Sequence, residues 1–203
     1  LAAVAGYVLG GRAAGLVVPS TTLETIARDI WHHPASRLHR IPNGIDTAAF
    51  AAAPDRAALP IQKGAGEYWV GTLAGLRAVK RLPDLVAAVA QLAPEWHLVI
   101  CGEGPERAAI FAEAKARGIA ARVHLPGNVD PALVVGLFDI FALSSASEQF
   151  PLSVVEAMAA GLPVAATDVG DIRAMVTPEN AALLKAPNNP KRLGEALAML
   201  AAD

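Results

Sequence analysis

The sequence has almost no net charge, a single cysteine and no long apolar run, and each shortage removes a class of protein. Lys and Arg number 17 against 19 Asp and Glu, a formal charge of −2. Without an excess of cations a chain cannot neutralise a run of phosphates, so a sequence-nonspecific nucleic-acid binder is not expected. The one cysteine, Cys101, permits no internal disulfide, so the fold must rest on its core, as in a reducing, cytoplasmic setting. Cys101 ends an apolar run that starts at His97 and reads as inert core. The 5 histidines show no metal-ligand spacing and no protein-bound metal is expected. Gly10, Gly11 and Arg12 interrupt the apolar N-terminal stretch before it reaches the roughly 20 residues a membrane helix needs. No charged leader precedes an apolar core, so no signal peptide is expected. The abrupt start at Leu1 reads as that of a piece of a longer protein.

What is present is apolar and regular. At 54% hydrophobic and 18% charged the chain is too apolar for disorder. A length of 203 residues suits one large domain, or one domain and part of another. Short apolar runs at 15–19, 39–42, 67–73, 97–101, 122–125, 138–143 and 163–167 have strand length. Helical patterns lie between them at 21–32, 82–93, 105–117, 131–137 and 151–160, with a last one at 189–202. Near-uniformly apolar strands alternating with helices predict a doubly wound α/β fold, a parallel sheet covered on both faces. The pattern weakens at 46–66, where Pro54, Pro60, Gly64 and Gly66 fall, as at a boundary. Residues 1–50 therefore read as the end of a first domain with its linker, and 51–203 as a complete second domain.

In open parallel sheets ligands bind beyond the carboxyl ends of the strands, which directs attention to four strand-to-helix turns. In the turn after 138–143, Pro151 suits the first turn of a helix and Gly161 its end, which leaves the N–H groups of Leu152 and Ser153 free for an anion. Glu156 is the only charged residue between Glu148 and Asp168. It either complements the helix dipole or receives a hydrogen-bonding partner such as a sugar diol. Glu148, at the rim, is either a solvated loop acid or a carboxylate that faces a hydroxyl or a developing positive charge. In the turn after 67–73, Arg77, Lys80 and Arg81 crowd the start of a helix near Leu82, either as a solvated basic loop or around an anion. Gly102 and Gly104 follow a strand but lack the third glycine of the dinucleotide fingerprint, which argues against an NAD-dependent dehydrogenase. Asn128 and Asp130 read as turn and cap residues.

The run from Glu148 to Glu156, seven residues between two glutamates and then Ala157 to Val164, resembles the hallmark segment of retaining glycosyltransferases of family 4, of GT-B fold. Val18-Pro19-Ser20, Ile41 to Asp46, Gly102 to Arg107 and Thr167 to Gly170 resemble other segments of that family in the same order. The resemblance implies a Rossmann-like C-terminal half of a GT-B enzyme, with a remnant of the N-terminal domain, that binds a nucleoside-diphosphate sugar, UDP- or GDP-linked. It implies no cofactor and no metal. By position it assigns Glu156 to the ribose hydroxyls and Glu148 to the donor sugar, with backbone at Phe150, Pro151, Leu152 and Ser153 under the diphosphate. Lys80 matches the lysine that neutralises the leaving phosphates, Val129 the backbone that meets the base, and Gly104 lies in a donor-binding turn. Gly75 stands where the family usually has an arginine, and Arg77 is the residue placed to substitute. An acceptor sugar or lipid is implied on the rest of the first domain, with peripheral contact at the inner face of a membrane for a lipid acceptor. This chain alone is expected to be inactive. A non-catalytic nucleotide-sugar binding module and a sugar-nucleotide epimerase of the same fold stand as alternatives.

Overall fold

The computed structural model describes residues 14–202. The expectations for the first residues, no leader and no span, lie outside them. Two parallel strands, β1 (Leu16–Val18) and β2 (Leu38–Arg40), flank helix α1 (Thr21–Asp29) and form a small sheet of their own. A short helix α2 (Thr47–Ala51) leads into the main sheet. That sheet has six strands, β3 (Tyr68–Leu73), β4 (Trp96–Cys101), β5 (Val123–Gly127), β6 (Ile140–Leu143), β7 (Val164–Thr167) and β8 (Leu184–Lys185). The helices between them are α3 (Leu82–Val89), α4 (Arg107–Ala116), α5 (Pro131–Val134), α6 (Leu152–Ala159), α7 (Ile172–Met175) and α8 (Pro178–Ala181), with α9 (Pro190–Ala201) last.

Every pairing in the sheet is parallel and the strand order is β5-β4-β3-β6-β7-β8. The chain builds outward from β3 to β5, then returns to the other side of β3 at β6. This reversal between β3 and β6 leaves a crevice at their carboxyl ends, the switch point of a doubly wound, Rossmann-like sheet. Alternation along β4 shows why both faces are buried. Leu98 and Ile100 join a core with Leu85, Ile110 and Leu197 on one side, whereas Val99 and Cys101 join one with Phe141, Val154 and Ile172 on the other. Burial pushes the Cys101 thiol up to about 12, so it stays protonated.

Most expected elements are present with shifted ends. Pro151 is the N-cap of α6 rather than its first helical residue, and the 131–137 pattern is one α-helical turn followed by a 3₁₀ turn at Val135–Leu137. Within the segment 46–66, Phe50, Ala58, Leu59 and Ile61 pack on the second core. Helix α9 packs through Leu193, Ala196 and Leu197 onto the first core.

Candidate functional site

A cleft of about 440 Å³ opens at the switch point, beyond the carboxyl ends of β3 and β4. Its floor is backbone. Ala74 N–H donates to the Cys101 carbonyl (3.0 Å), Leu76 N–H to that of Glu103 (2.9 Å), and Gly102 N–H to that of Gly127 (2.7 Å). Gly102 has a φ of +142°, and a Cβ there would stand 2.0 Å from the Ala74 carbonyl oxygen, so only glycine lets these loops meet.

One wall is the loop between β6 and α6. Lys80 Nζ donates to Glu148 Oε1 at 2.6 Å, and Ser145 Oγ donates to the same oxygen at 2.7 Å. Ser144 Oγ donates to the Lys80 carbonyl (2.8 Å) and Thr167 Oγ1 to that of Ser145 (2.7 Å), all three hydroxyl residues being buried. Buried hydroxyls demand partners, and here those partners are the backbone carbonyls of Lys80 and Ser145 and the carboxylate of Glu148. Gly170, at φ +57°, lies where a Cβ would be 2.5 Å from the Glu148 carbonyl oxygen, so the β7–α7 turn buttresses this loop from behind.

Helix α6 starts in the cleft with no side-chain cap, because its N-cap is Pro151. Its first N–H groups, on Leu152 and Ser153, have no carbonyl one turn back to receive them, and both residues line the cleft. One turn on, Glu156 faces the same space. Burial alone raises its pKa above the ordinary carboxylate value, and its carboxylate has no hydrogen-bond partner among the described residues. Of the three cations of the basic turn, Arg77 and Lys80 line the cleft, while Arg81 turns back to pair with Asp84 (2.8 Å). Arg77 Nε would lie 3.3 Å from a Cβ on Gly75, so the guanidinium occupies the space that a side chain at 75 would fill. The site therefore combines an uncapped helix start, two cations and two carboxylates above closely packed loop backbone, an arrangement suited to an anion with a polyol attached.

Residues 58–203 match the sequence profile described as Glycosyl transferases group 1. The chain belongs to this glycosyltransferase family. Over 193 residues it is 28% identical to 2-deoxystreptamine glucosyltransferase of Streptomyces kanamyceticus, a match covering 90% of the chain and 50% of the relative. It is 34% identical over 175 residues to a GDP-mannose-dependent alpha-mannosyltransferase of Mycobacterium tuberculosis, covering 83% and 43%. Among solved structures, Anabaena HepE in complex with UDP is similar at a TM-score of 0.86 and 25% identity, covering 98% of this chain and 57% of that one. The chain thus spans about half the length of the glycosyltransferases it matches.

All but one of the donor-site residues expected from the sequence line this cleft: Gly75, Arg77, Lys80, Val129, Glu148, Phe150, Pro151, Leu152, Ser153 and Glu156. Gly104 does not. At φ +155° it packs on the Leu76 backbone, where a Cβ would be 2.5 Å from the carbonyl oxygen, and so shapes the glycosyltransferase cleft from beneath. The cleft adds Asn43, Gly102 and Asn128. Asn43 lies in the Ile41–Asp46 run, and Asp130 caps α5 by accepting from Ala132 N–H (3.0 Å). Ser144, Ser145 and Thr167 were not legible as site residues. Their signal is position, since hydroxyls that directly follow or end an apolar strand must find partners at its carboxyl end. Two histidines do meet, His97 Nδ1 and His124 Nε2 at 3.0 Å, far along the strands from the cleft. Among the described residues no group of three His, Cys, Asp or Glu is placed to hold a metal, and no helix is long and apolar enough to cross a membrane.

Proposed function

We propose that this chain is the donor-binding half of a retaining family 4 glycosyltransferase and takes a nucleoside-diphosphate sugar, UDP- or GDP-linked, without a metal. The observation that carries the reading is Glu156, a desolvated carboxylate with no protein partner, one turn below an uncapped helix start. A carboxylate in that position gains from two adjacent hydroxyls, and a ribose offers them. The diphosphate then meets the Leu152 and Ser153 amides, Lys80 and Arg77, with Gly75 leaving room for the arginine. Phe150 contributes its backbone to this cradle, whereas Pro151 has no N–H to give. Backbone at Val129 faces the base, and Glu148, held by Lys80 and Ser145, orients the sugar.

The charge that develops on the departing diphosphate is the main electrostatic demand of such a transfer, and amides and cations fixed beforehand meet it without reorganisation. That relatives include a glucosyltransferase and a GDP-mannose-dependent mannosyltransferase, and that HepE is similar in complex with UDP, supports the donor class. The acceptor, a sugar or a lipid, is assigned to the remainder of the first domain, and the enzyme to the cytoplasm or the inner membrane face.

Calorimetric titration with UDP, GDP and ADP, with and without a chelator, tests the reading. One nucleotide should bind whether or not the chelator is present, and Glu156→Ala should weaken it by about 1–3 kcal/mol, the scale of hydrogen bonds to a charged group. Unchanged affinity in Glu156→Ala would remove the ribose from this residue.

A further inference from the structure

Gln149 lies between Glu148 and Phe150, both of which line the cleft, yet it lines no part of the cleft itself. It is held from the other side. Its Oε1 accepts from Ser20 Oγ (3.1 Å), and its carbonyl accepts from Asp171 N–H (3.2 Å). Ser20 is fully buried and caps α1, accepting from Leu23 N–H at 3.0 Å. The Asp171 carboxylate caps the same helix from 150 residues away in the chain, accepting from Thr21 N–H, Thr22 N–H (3.0 Å) and Thr22 Oγ1 (2.9 Å). Burial works to raise the Asp171 pKa, but these hydrogen bonds outweigh it and hold the carboxyl below its ordinary value. The start of α1 and the donor loop thus share two connections through adjacent atoms of Gln149 and Asp171.

We propose that Gln149 and Asp171 are positioning residues that couple the lobe carrying α1 to Glu148, so that the seating of that lobe sets where the sugar-facing carboxylate stands. The role of Glu148 in this statement rests on the donor-site reading above; the coupling of the two segments does not. A helix N-terminus needs only local side chains to satisfy it, and Ser20 already supplies one. Recruiting Asp171 and Gln149 as well makes the loop part of the helix's boundary, and any shift of α1 must strain the backbone that carries Glu148.

Two variants test the proposal. Gln149→Met keeps length and leaves Asp171 on α1; Asp171→Asn keeps shape and removes the charge that holds Thr21 and Thr22. In both, hydrogen exchange should quicken roughly tenfold at Ala146, Val154 and Asp171, whose amides bond in or onto the loop that carries Glu148, as well as at 21–23, while the amides of β4 keep their protection. Affinity for the bare nucleoside diphosphate should stay within about twofold, whereas the matching nucleotide sugar should weaken about fivefold or more, a split that general loosening of the fold would not produce. Faster exchange confined to 21–23, or equal losses for nucleotide and nucleotide sugar, would reduce the contact to a helix cap and overturn the proposal. If the unaltered chain bound no nucleotide, the donor reading would fail while the exchange pattern still decided the coupling.

Discussion

Helix α1 begins directly after β1 and helix α6 after the loop that follows β6, and their starts are treated in opposite ways. At α1 every orphan donor of the first turn has a protein partner, Thr21 and Thr22 at Asp171 and Leu23 at Ser20. At α6 a proline occupies the capping position and the first N–H groups open on the cleft. The backbone chemistry is identical, so the difference lies in what surrounds it. Where the fold needs the helix end for its own cohesion it supplies three oxygens. Where it leaves the end bare, it places two cations nearby and a carboxylate one turn further on. An uncapped start carries a cost of about 0.5–2 kcal/mol against a well-capped one, and an anion seated on these amides would offset it.

The sharpest way to break this contrast is to cap α6. Pro151→Asp would place a carboxylate over the Leu152 and Ser153 amides, raising thermal stability and cutting nucleoside diphosphate affinity by more than about tenfold, since like charges would then compete for one position. Binding that survived would show that the phosphates lie elsewhere. A smaller effect comes from proton uptake at Glu156. Its pKa is raised in the fold by burial, so the ligand-free fold binds that proton more readily than the unfolded chain and gains stability as pH falls through the raised value. The ligand requires the opposite state. Nucleotide affinity should fall as pH falls through that raised value, while Glu156→Gln should raise the melting temperature at neutral pH and flatten the binding profile. Scanning calorimetry and titration at several pH values read both. The smallest effect belongs to the closed helix start: Ser20→Ala should cost about 1 kcal/mol in denaturant unfolding and leave affinity for the bare nucleotide unchanged.

Much of this was legible before any coordinates. Short apolar runs fixed the strands, since a strand buried on both faces tolerates nothing else, as Leu98 to Cys101 illustrates. That Glu156 would stand at the cleft was legible from its place in the first turns of a helix that starts at the carboxyl end of the sheet. Other features were hidden for physical reasons. Strand β8 is only two residues long and carries no period, so Leu184–Lys185 gave no signal. The bond from Asp171 to α1 spans 150 positions, beyond any local pattern. Gly104 illustrates a different limit: a glycine after a strand signals close backbone approach, but not whether the approaching atoms belong to a ligand or, as at Leu76, to the protein.

The ion pair between Lys80 and Glu148 has one more consequence. Lys80 already has the Glu148 carboxylate at 2.6 Å, so a visiting molecule that bonds to Lys80 must share or displace that partner. On the donor site proposed above, a diphosphate brings more charge than the carboxylate it displaces, which a nucleoside or a free sugar does not, and releases Glu148 for the sugar's hydroxyls. On that reading the pair sets an admission threshold that sorts small molecules by charge before base or sugar is read, and comparing pyrophosphate with an uncharged nucleoside in this cleft would measure its height.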